Sequence, residues 1–381
     1  MVTPAEPDSQ RSPGENEASH LARSRARSVQ RRLWWCPDPW LRGSAPPMRV
    51  GILLNPNSRK NRREARSGRK ETLAAQVGAL GEVIETHHPD ELPAAIERLL
   101  SQGVEYLVCD GGDGALHWTL NLLRELRGDR GLIPLLPTSG GTIDFVAHKV
   151  GSFGNQDTIL DAFLTNIRRG RAPQVVEIDS LRLTGETAAG APFDRLGFAL
   201  AAGGAGQRFF DQYYAVEDPR AATIVTIVGR TVLGHAAQLL KLGVLKRYQE
   251  HARALFEPTE ARVTLDGEEL PTTRHGALHA GAFDISLGGV FRVFPLAAPD
   301  GRLHFQAGAI SPREMIRAIP ALVRGGAIQS EQLRERSGTE MIIEALGDEL
   351  LAPIIDGEQF QGLKRLTVTP GPRVPIVRVS R

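Results

Sequence analysis

The pentapeptide Asp110-Gly111-Gly112-Asp113-Gly114 stands between a short apolar run, residues 106–109, and a stretch of helical apolar spacing, residues 115–126. Three glycines and two carboxylates packed into five residues suit few places in a fold. They suit a buried strand that hands its carboxyl end to a helix through a tight turn. The same grammar recurs around it. Residues 49–54 read as a strand ending in Asn55-Pro56-Asn57-Ser58, 73–80 as a helix, 82–85 as a strand and 92–100 as an amphipathic helix. Residues 133–136 read as a further strand, ending in Pro137-Thr138-Ser139-Gly140-Gly141-Thr142. Strands alternating with helices predict βαβ units and a parallel sheet, whose ligands bind beyond the carboxyl ends of its strands. All three polar loops fall at such ends.

Beyond residue 172 the texture changes. Residues 175–183, 261–265, 282–287, 290–294 and 340–345 are short and β-prone, with Gly, Pro and Asp between them, which predicts a second, mainly antiparallel domain. One helical interruption is expected, at 223–248. The boundaries read as a leader over 1–47, an α/β domain over 48–172 and a β-rich domain over 173–381, whose last strand returns to the first domain. At 381 residues, 41% apolar and 24% charged, the chain supports two cores of ordinary domain size.

The net charge of +2 argues against a surface that tracks nucleic acid. Its distribution is uneven, since eight arginines against five acids give residues 1–49 a net +3 and leave −1 for the rest. Residues 1–20, rich in Pro, Ser, Glu and Gln, bury too little to offset the entropy of ordering, and we expect them to be disordered. Arg23, Arg25, Arg27, Arg31 and Arg32 then precede Trp34, Trp35 and Trp40. This suits either an anionic bilayer surface or a basic tail with its indoles tucked against the folded body. No secretory apolar region follows the N-terminal charges, and the most apolar stretch, 223–245, is interrupted by Arg230, His235 and Lys241. Cys36 and Cys109 are too few and too far apart for a redox or zinc motif, and ten histidines show no HxxH pairing. These features point to a reducing, cytoplasmic setting, with the leader as the one route to the inner membrane face.

In the central pentapeptide, glycines let backbone N–H groups close on a phosphate chain at a helix N-terminus. A carboxylate there either holds Mg²⁺ or accepts a proton from an attacking hydroxyl; equally, it caps a tight turn. The basic run 59–70 is either a solvated helix face or a phosphate contact. Asp356-Gly357-Glu358 reads as a hairpin turn or an acid–base site, and Asp266-Gly267-Glu268 as a hairpin turn. The apolar face of 223–248 either covers the β domain as core or lines a pocket, with core the expected role.

Taken together, these motifs resemble the lipid kinase family of diacylglycerol, sphingosine and ceramide kinases, more distantly NAD kinases and phosphofructokinases. Asn55-Pro56-Asn57-Ser58 is similar to the family's NPxSG, Gly111-Gly112-Asp113-Gly114-Ala115 to GGDGT, and Gly141-Thr142-Ile143-Asp144-Phe145 to GTxNDF. Asp356-Gly357-Glu358 is similar to the family's DGE, and Ala298-Pro299-Asp300-Gly301 to its AP…DDG segment. The resemblance spans residues 48–378 in the family's order. It implies a Rossmann-like α/β nucleotide-binding domain followed by an antiparallel β-sandwich lipid-binding domain, with ATP and a lipid acceptor meeting between them. By the same resemblance Asn55, Pro56, Asn57, Ser58, Thr86, Gly111, Gly112, Gly114, Ala115, Gly141, Thr142 and Asp144 contribute to the nucleotide site. Asp113 holds ATP and its Mg²⁺ and stands close to the reaction, Glu358 is the base, and Asp300 takes the structural metal position.

The departures matter for activity. Arg59 replaces a glycine, Ala115 a threonine and Ile143 an asparagine, while His117-Trp118 replace an Asn-Glu pair and Pro299 an aspartate. An active lipid kinase, an NAD kinase-like enzyme and a degenerate protein that only binds all remain open at this point.

Overall fold

Parallel strands buried on both faces require unbroken apolar runs, and the first sheet is built from them. In the computed structural model, which describes residues 49–379 apart from 65–67, 217–218, 288–290, 299–300, 327 and 329, β1 (Val50–Leu54), β2 (Gly81–Glu85), β3 (Tyr106–Asp110) and β4 (Leu135–Pro137) pair in parallel in the order β2-β1-β3-β4. The Arg/Trp leader and Asp300 lie outside the described residues. Among the described residues six helices accompany this sheet: α1 (Arg59–Glu64), α2 (Arg69–Val77), α3 (Leu92–Ser101), α4 (Asp113–Arg127), α5 (Phe145–Lys149) and α6 (Gln156–Arg168). Alternation along the strands decides which helix each residue meets. Val50, Ile52 and Leu54 pack with Leu73 of α2 and Leu160 and Phe163 of α6. Leu53, Leu107 and Cys109 face Ile96 and Leu99 of α3 and Leu116 and Leu120 of α4. Each such side chain contributes about 1.5–3 kcal/mol of burial.

The stretch 175–183, read as one strand, is two. β5 (Gln174–Ile178) joins the first sheet, and Leu181–Thr187 belongs to the second lobe. Between β4 and β5 lies the C-terminal strand Val374–Arg378, parallel to β4 and antiparallel to β5. The two crossings between lobes are tied together. Gly371 N–H donates to the Ser180 carbonyl (2.8 Å), Ser180 Oγ donates to the Pro372 carbonyl (2.6 Å), and Arg373 pairs with Asp179 (3.0 Å).

Among the described residues the second lobe holds two larger antiparallel sheets and a short ribbon. The first runs in the order Glu268–Glu269, Thr259–Leu265, Met341–Ala345, Leu363–Pro370, Leu181–Thr187, Pro192–Gly197. The second runs Leu333–Gly338, Leu303–Gly308, Ala277–Gly281, Ala199–Gly203, Ile354–Ile355, Glu358–Gln359. Burial alternates along Thr259–Leu265, as in a sheet with one face on the core. Val263, Leu265, Ile343 and Leu366 of one sheet meet Leu200, Leu278 and Phe305 of the other in a shared core.

The expected single helical interruption needs correction. This lobe carries α7 (Gly204–Tyr214), α8 (Ala221–Leu239), α9 (Lys246–Leu255) and α10 (Pro312–Val323). Residues 223–248 are not one helix, because the chain leaves α8 through Lys241, at φ 54°, and turns back into α9. No helix among the described residues is long and apolar enough to cross a membrane.

Behind the strand ends, a buried charge aligns the first lobe. Asp110, fully buried at the end of β3, accepts a bidentate pair from Arg69 of α2 (Nη2 3.0 Å, Nε 3.1 Å). Thr138 Oγ1 (2.9 Å), Gln156 Nε2 (3.2 Å) and Asn61 Nδ2 (3.3 Å) also donate to its carboxylate. A buried carboxylate without such partners is costly, so five elements are held in one arrangement. Arg69→Met is expected to lower stability by about 3 kcal/mol, whereas Arg98→Met, which breaks an exposed pair with Glu82, costs under about 1 kcal/mol. Urea unfolding of the two variants checks the contrast.

Candidate active site

The glycine loops come together because neither carries a side chain where they touch. A Cβ on Gly112 would lie 2.7 Å from Gly141 Cα, and Gly140 N–H donates to the Gly111 carbonyl at 2.7 Å. Gly112 caps α4 without a side-chain hydrogen bond. The first amides of α4 have no intrahelical acceptor, and Gly112, Asp113, Gly114 and Ala115 line a cavity of about 870 Å³. That uncapped, electropositive helix end suits an anion. Asn55, Asn57 and Ser58 line the cavity opposite, with Asn55 Oδ1 accepting from Asn57 N–H (2.9 Å) and Asn57 Nδ2 donating to the His87 carbonyl (2.8 Å). Ser58 Oγ is buried without a partner, a polar atom that a ligand would satisfy.

The remaining sequence-derived residues divide. Gly141 and Thr142 line the cavity, whereas Pro56, Gly111 and Asp144 stand behind its wall. Thr86 is buried, its N–H donating to the Leu54 carbonyl at 2.9 Å, and its neighbour His87 faces the cavity instead. Asp144, at φ 54°, accepts from Gly141 N–H (2.8 Å) and pairs with Lys60 (3.4 Å). The basic run 59–70 therefore splits: Arg59 and Arg62 line the cavity, Lys60 braces the third loop, and Arg69 serves Asp110.

Asp113 and Glu358 both line the cavity. Glu358 Oε1 occupies the space over Gly114, 2.1 Å from where a Cβ would stand, and Oε2 accepts from Trp118 Nε1 at 2.9 Å. Asp113 accepts from the N–H groups of Phe145 (3.2 Å) and Val146 (3.4 Å), capping α5. Burial, then the Asp144 charge, holds Asp113 well above the usual carboxylate range. Burial also raises Asp144, with Lys60 opposing. This crowding of carboxylates suits a cation delivered with a ligand, although no cluster of three metal-ligating side chains occurs among the described residues. Burial pushes the Cys109 thiol up to about 12, so it is inert as a nucleophile.

Asp356 has a structural task. Its Oδ1 accepts from Phe198 N–H (2.8 Å) and Ala199 N–H (2.9 Å), and its Oδ2 lies 3.0 Å from His117 Nδ1. The turn is a hairpin as well, with Asp356 at φ 52° and Gly357 at φ 93°, matching Asp266 (47°) and Gly267 (82°) in the second DGE. Sequence reasoning named Lys60 and Arg69 only within the basic run 59–70, Asp110 only within the glycine-rich pentapeptide, and His117 and Trp118 only as departures from the motif, and it assigned none of them the partner it has here.

From the loops the same cavity runs into an apolar chamber between helices of the second lobe. Phe209 and Phe210 of α7, Val228 and Val232 of α8, and Met315 and Ile319 of α10 line it. The stripe on 223–248 is thus not only core: Ile227 is buried, Ile224 is buried against the chamber, Val228 and Val232 form chamber wall, and Leu239, Leu240 and Leu242 are exposed.

Residues 49–174 match the sequence profile of the diacylglycerol kinase catalytic domain. Comparison with curated proteins gives no match. Among solved structures the chain is similar to a diacylglycerol kinase from Bacillus anthracis str. Sterne, at 15% identity and a TM-score of 0.54 over 88% of this chain and 98% of that one. It is also similar to yeast NADH kinase complexed with NADH, at 12% identity and a TM-score of 0.47 over 88% and 84%. The Bacillus structure shares the parallel α/β sheet followed by antiparallel β sheets.

Two substitutions test the geometry. Gly112→Ala drives a methyl into backbone and is expected to cost about 1–3 kcal/mol, while Gly114→Ala meets only the end of the Glu358 side chain and leaves urea stability nearly unchanged. A raised Asp113 stabilises the fold while protonated, below its unfolded value of about 4, and this contribution is lost as pH rises through the folded value. Asp113→Asn should therefore be more stable than the wild type at about pH 7.5, with the gap closing toward about pH 4, as read by urea unfolding across that range.

Proposed function

We propose that this chain, whose residues 49–174 match the sequence profile of the diacylglycerol kinase catalytic domain, transfers the γ-phosphate of ATP to a hydroxyl of a lipid acceptor: diacylglycerol, a sphingoid base or ceramide. One observation carries the reading. A single cavity joins a glycine-lined, amide-rich mouth to an apolar chamber, and Glu358, whose Oε1 lies over Gly114, is part of its lining. The chamber favours an acyl-bearing acceptor over a polar one, since its helices turn aromatic and aliphatic side chains inward.

In this reading residues 48–172 bind the nucleotide and 173–381 the lipid, with the last strand returning to the first lobe. The first-turn amides of α4, with Asn55, Ser58, Gly141 and Thr142, seat the phosphates. Mg²⁺, when bound, neutralises charge on the transferring phosphoryl group, held by Asp113 together with the nucleotide's own phosphates. Trp118 fixes Glu358 Oε2 through the indole N–H and leaves Oε1 to take the acceptor proton. The hydroxyl oxygen then forms a bond to the γ-phosphorus as the bond to the β-phosphate oxygen breaks, and ADP departs with that electron pair. General-base help of this kind is worth about 10²–10⁴ in rate.

Incubating the full chain with γ-labelled ATP, Mg²⁺ and a panel of lipids should move label into the lipid fraction. Glu358→Gln should cut transfer by about 10² or more with ATP binding retained, and Asp113→Asn should cut it comparably. Label appearing on NAD but on no lipid, or ATP bound without turnover on any acceptor, would overturn the reading; the last outcome is the one that Ala115 and Ile143 would explain.

A further inference from the structure

We propose that the tip of the hairpin formed by α8 and α9 is a docking surface for an anionic lipid bilayer. Leu239, Leu240, Leu242 and Val244 are 61%, 69%, 42% and 92% exposed, and Val225 and Leu233 continue the apolar strip along the outer face of α8. The tip is built rather than frayed. Leu242 N–H donates to the Ala237 carbonyl (2.9 Å), Gln249 Nε2 donates to the Leu242 carbonyl (2.9 Å), and Gly234 is pressed so close to the Tyr248 carbonyl that no Cβ fits. A rigid turn that presents apolar side chains to water needs something to cover them.

Charge identifies the occupant. Residues 221–256 carry Arg230, Lys241, Lys246, Arg247 and Arg253 against the single acid Glu250. Lys241, Lys246 and Arg247 are exposed, and no ion pair engages them among the described residues. Apolar side chains interleaved with unpaired cations match acyl chains beneath anionic headgroups. The surface is also continuous with the chamber, because the inner faces of the same two helices, through Ile224, Val228, Val232 and Leu255, form its wall. Lipid taken up at the tip thus lies beside the cavity that would receive it. The inference concerns binding and is read without ATP, so it stands or falls apart from phosphotransfer.

The experiment is co-sedimentation of the full chain with vesicles of equimolar phosphatidylcholine and phosphatidylglycerol, and with phosphatidylcholine alone. The wild type should pellet with the anionic vesicles. Leu240→Ser with Val244→Ser should weaken that binding by at least about tenfold, and Lys241→Glu with Arg247→Glu should abolish the preference for phosphatidylglycerol. All these positions are exposed, so thermal midpoints should not move, and Leu350→Ser, at another exposed site, should bind as the wild type does. Wild type that ignores anionic vesicles would overturn the proposal. Hairpin variants that bind undiminished would do the same, moving the contact elsewhere, for instance to Arg23–Trp40. A change of oligomeric size with vesicle binding intact would make a second copy the occupant and overturn it too.

Discussion

The Asp356 carboxylate spends its hydrogen-bonding capacity on joining the two lobes. Two backbone N–H groups from the strand beginning at Ala199 and its neighbour Phe198, with His117 from α4, converge on it inside the protein. One residue further along α4, Trp118 reaches Glu358. Adjacent residues of a first-lobe helix thus hold both ends of a three-residue turn from the second lobe. A buried carboxylate with three partners tolerates little displacement, since losing any donor leaves charge unsatisfied in a medium that screens poorly. The position of Glu358 over Gly114 follows from that clamp.

The parts of this architecture that were legible in sequence are those where backbone geometry or full burial dictates composition. The strands Val50–Leu54 and Tyr106–Asp110 read correctly because both their faces are covered, and the glycine loops because two main chains touch at Gly112 and Gly141. Helices of the second lobe were harder. Gly204–Tyr214 begins Gly-Ala-Gly and has a weak start signal, whereas Pro312–Val323 opens with a capping box between Ser311 and Glu314 that was available to be read. Whether an apolar stripe faces core or cavity was not legible, because Ile227 and Val228 have the same chemistry and differ only in what stands opposite. The two DGE turns make the point most sharply. They share one local conformation, and what distinguishes Asp356-Gly357-Glu358 from an ordinary hairpin is what surrounds it, His117, Trp118 and Gly114 of the first lobe together with the Phe198 and Ala199 N–H groups.

The departures from the family's pattern acquire physical meaning in this setting. His117 and Trp118, in place of an Asn-Glu pair, are the residues that engage Asp356 and Glu358, so the substitution is coupled to how the turn is held. Ala115 is small where Gly111 passes: a Cβ on Gly111 would come within 2.6 Å of the Ala115 methyl. Ile143 packs against the main core, where an amide would need a partner of its own.

The connection between the lobes is a ladder rather than a thread. Residues 174–187 and 363–378 run antiparallel from one sheet into another, paired on both sides of the tie at Ser180 and Gly371. A doubled, hydrogen-bonded ribbon resists the free swivelling that a single strand of linker permits. Large hinge closure would have to bend or shear this ribbon and break its rungs. A connection of that kind favours a nearly fixed angle between the two halves.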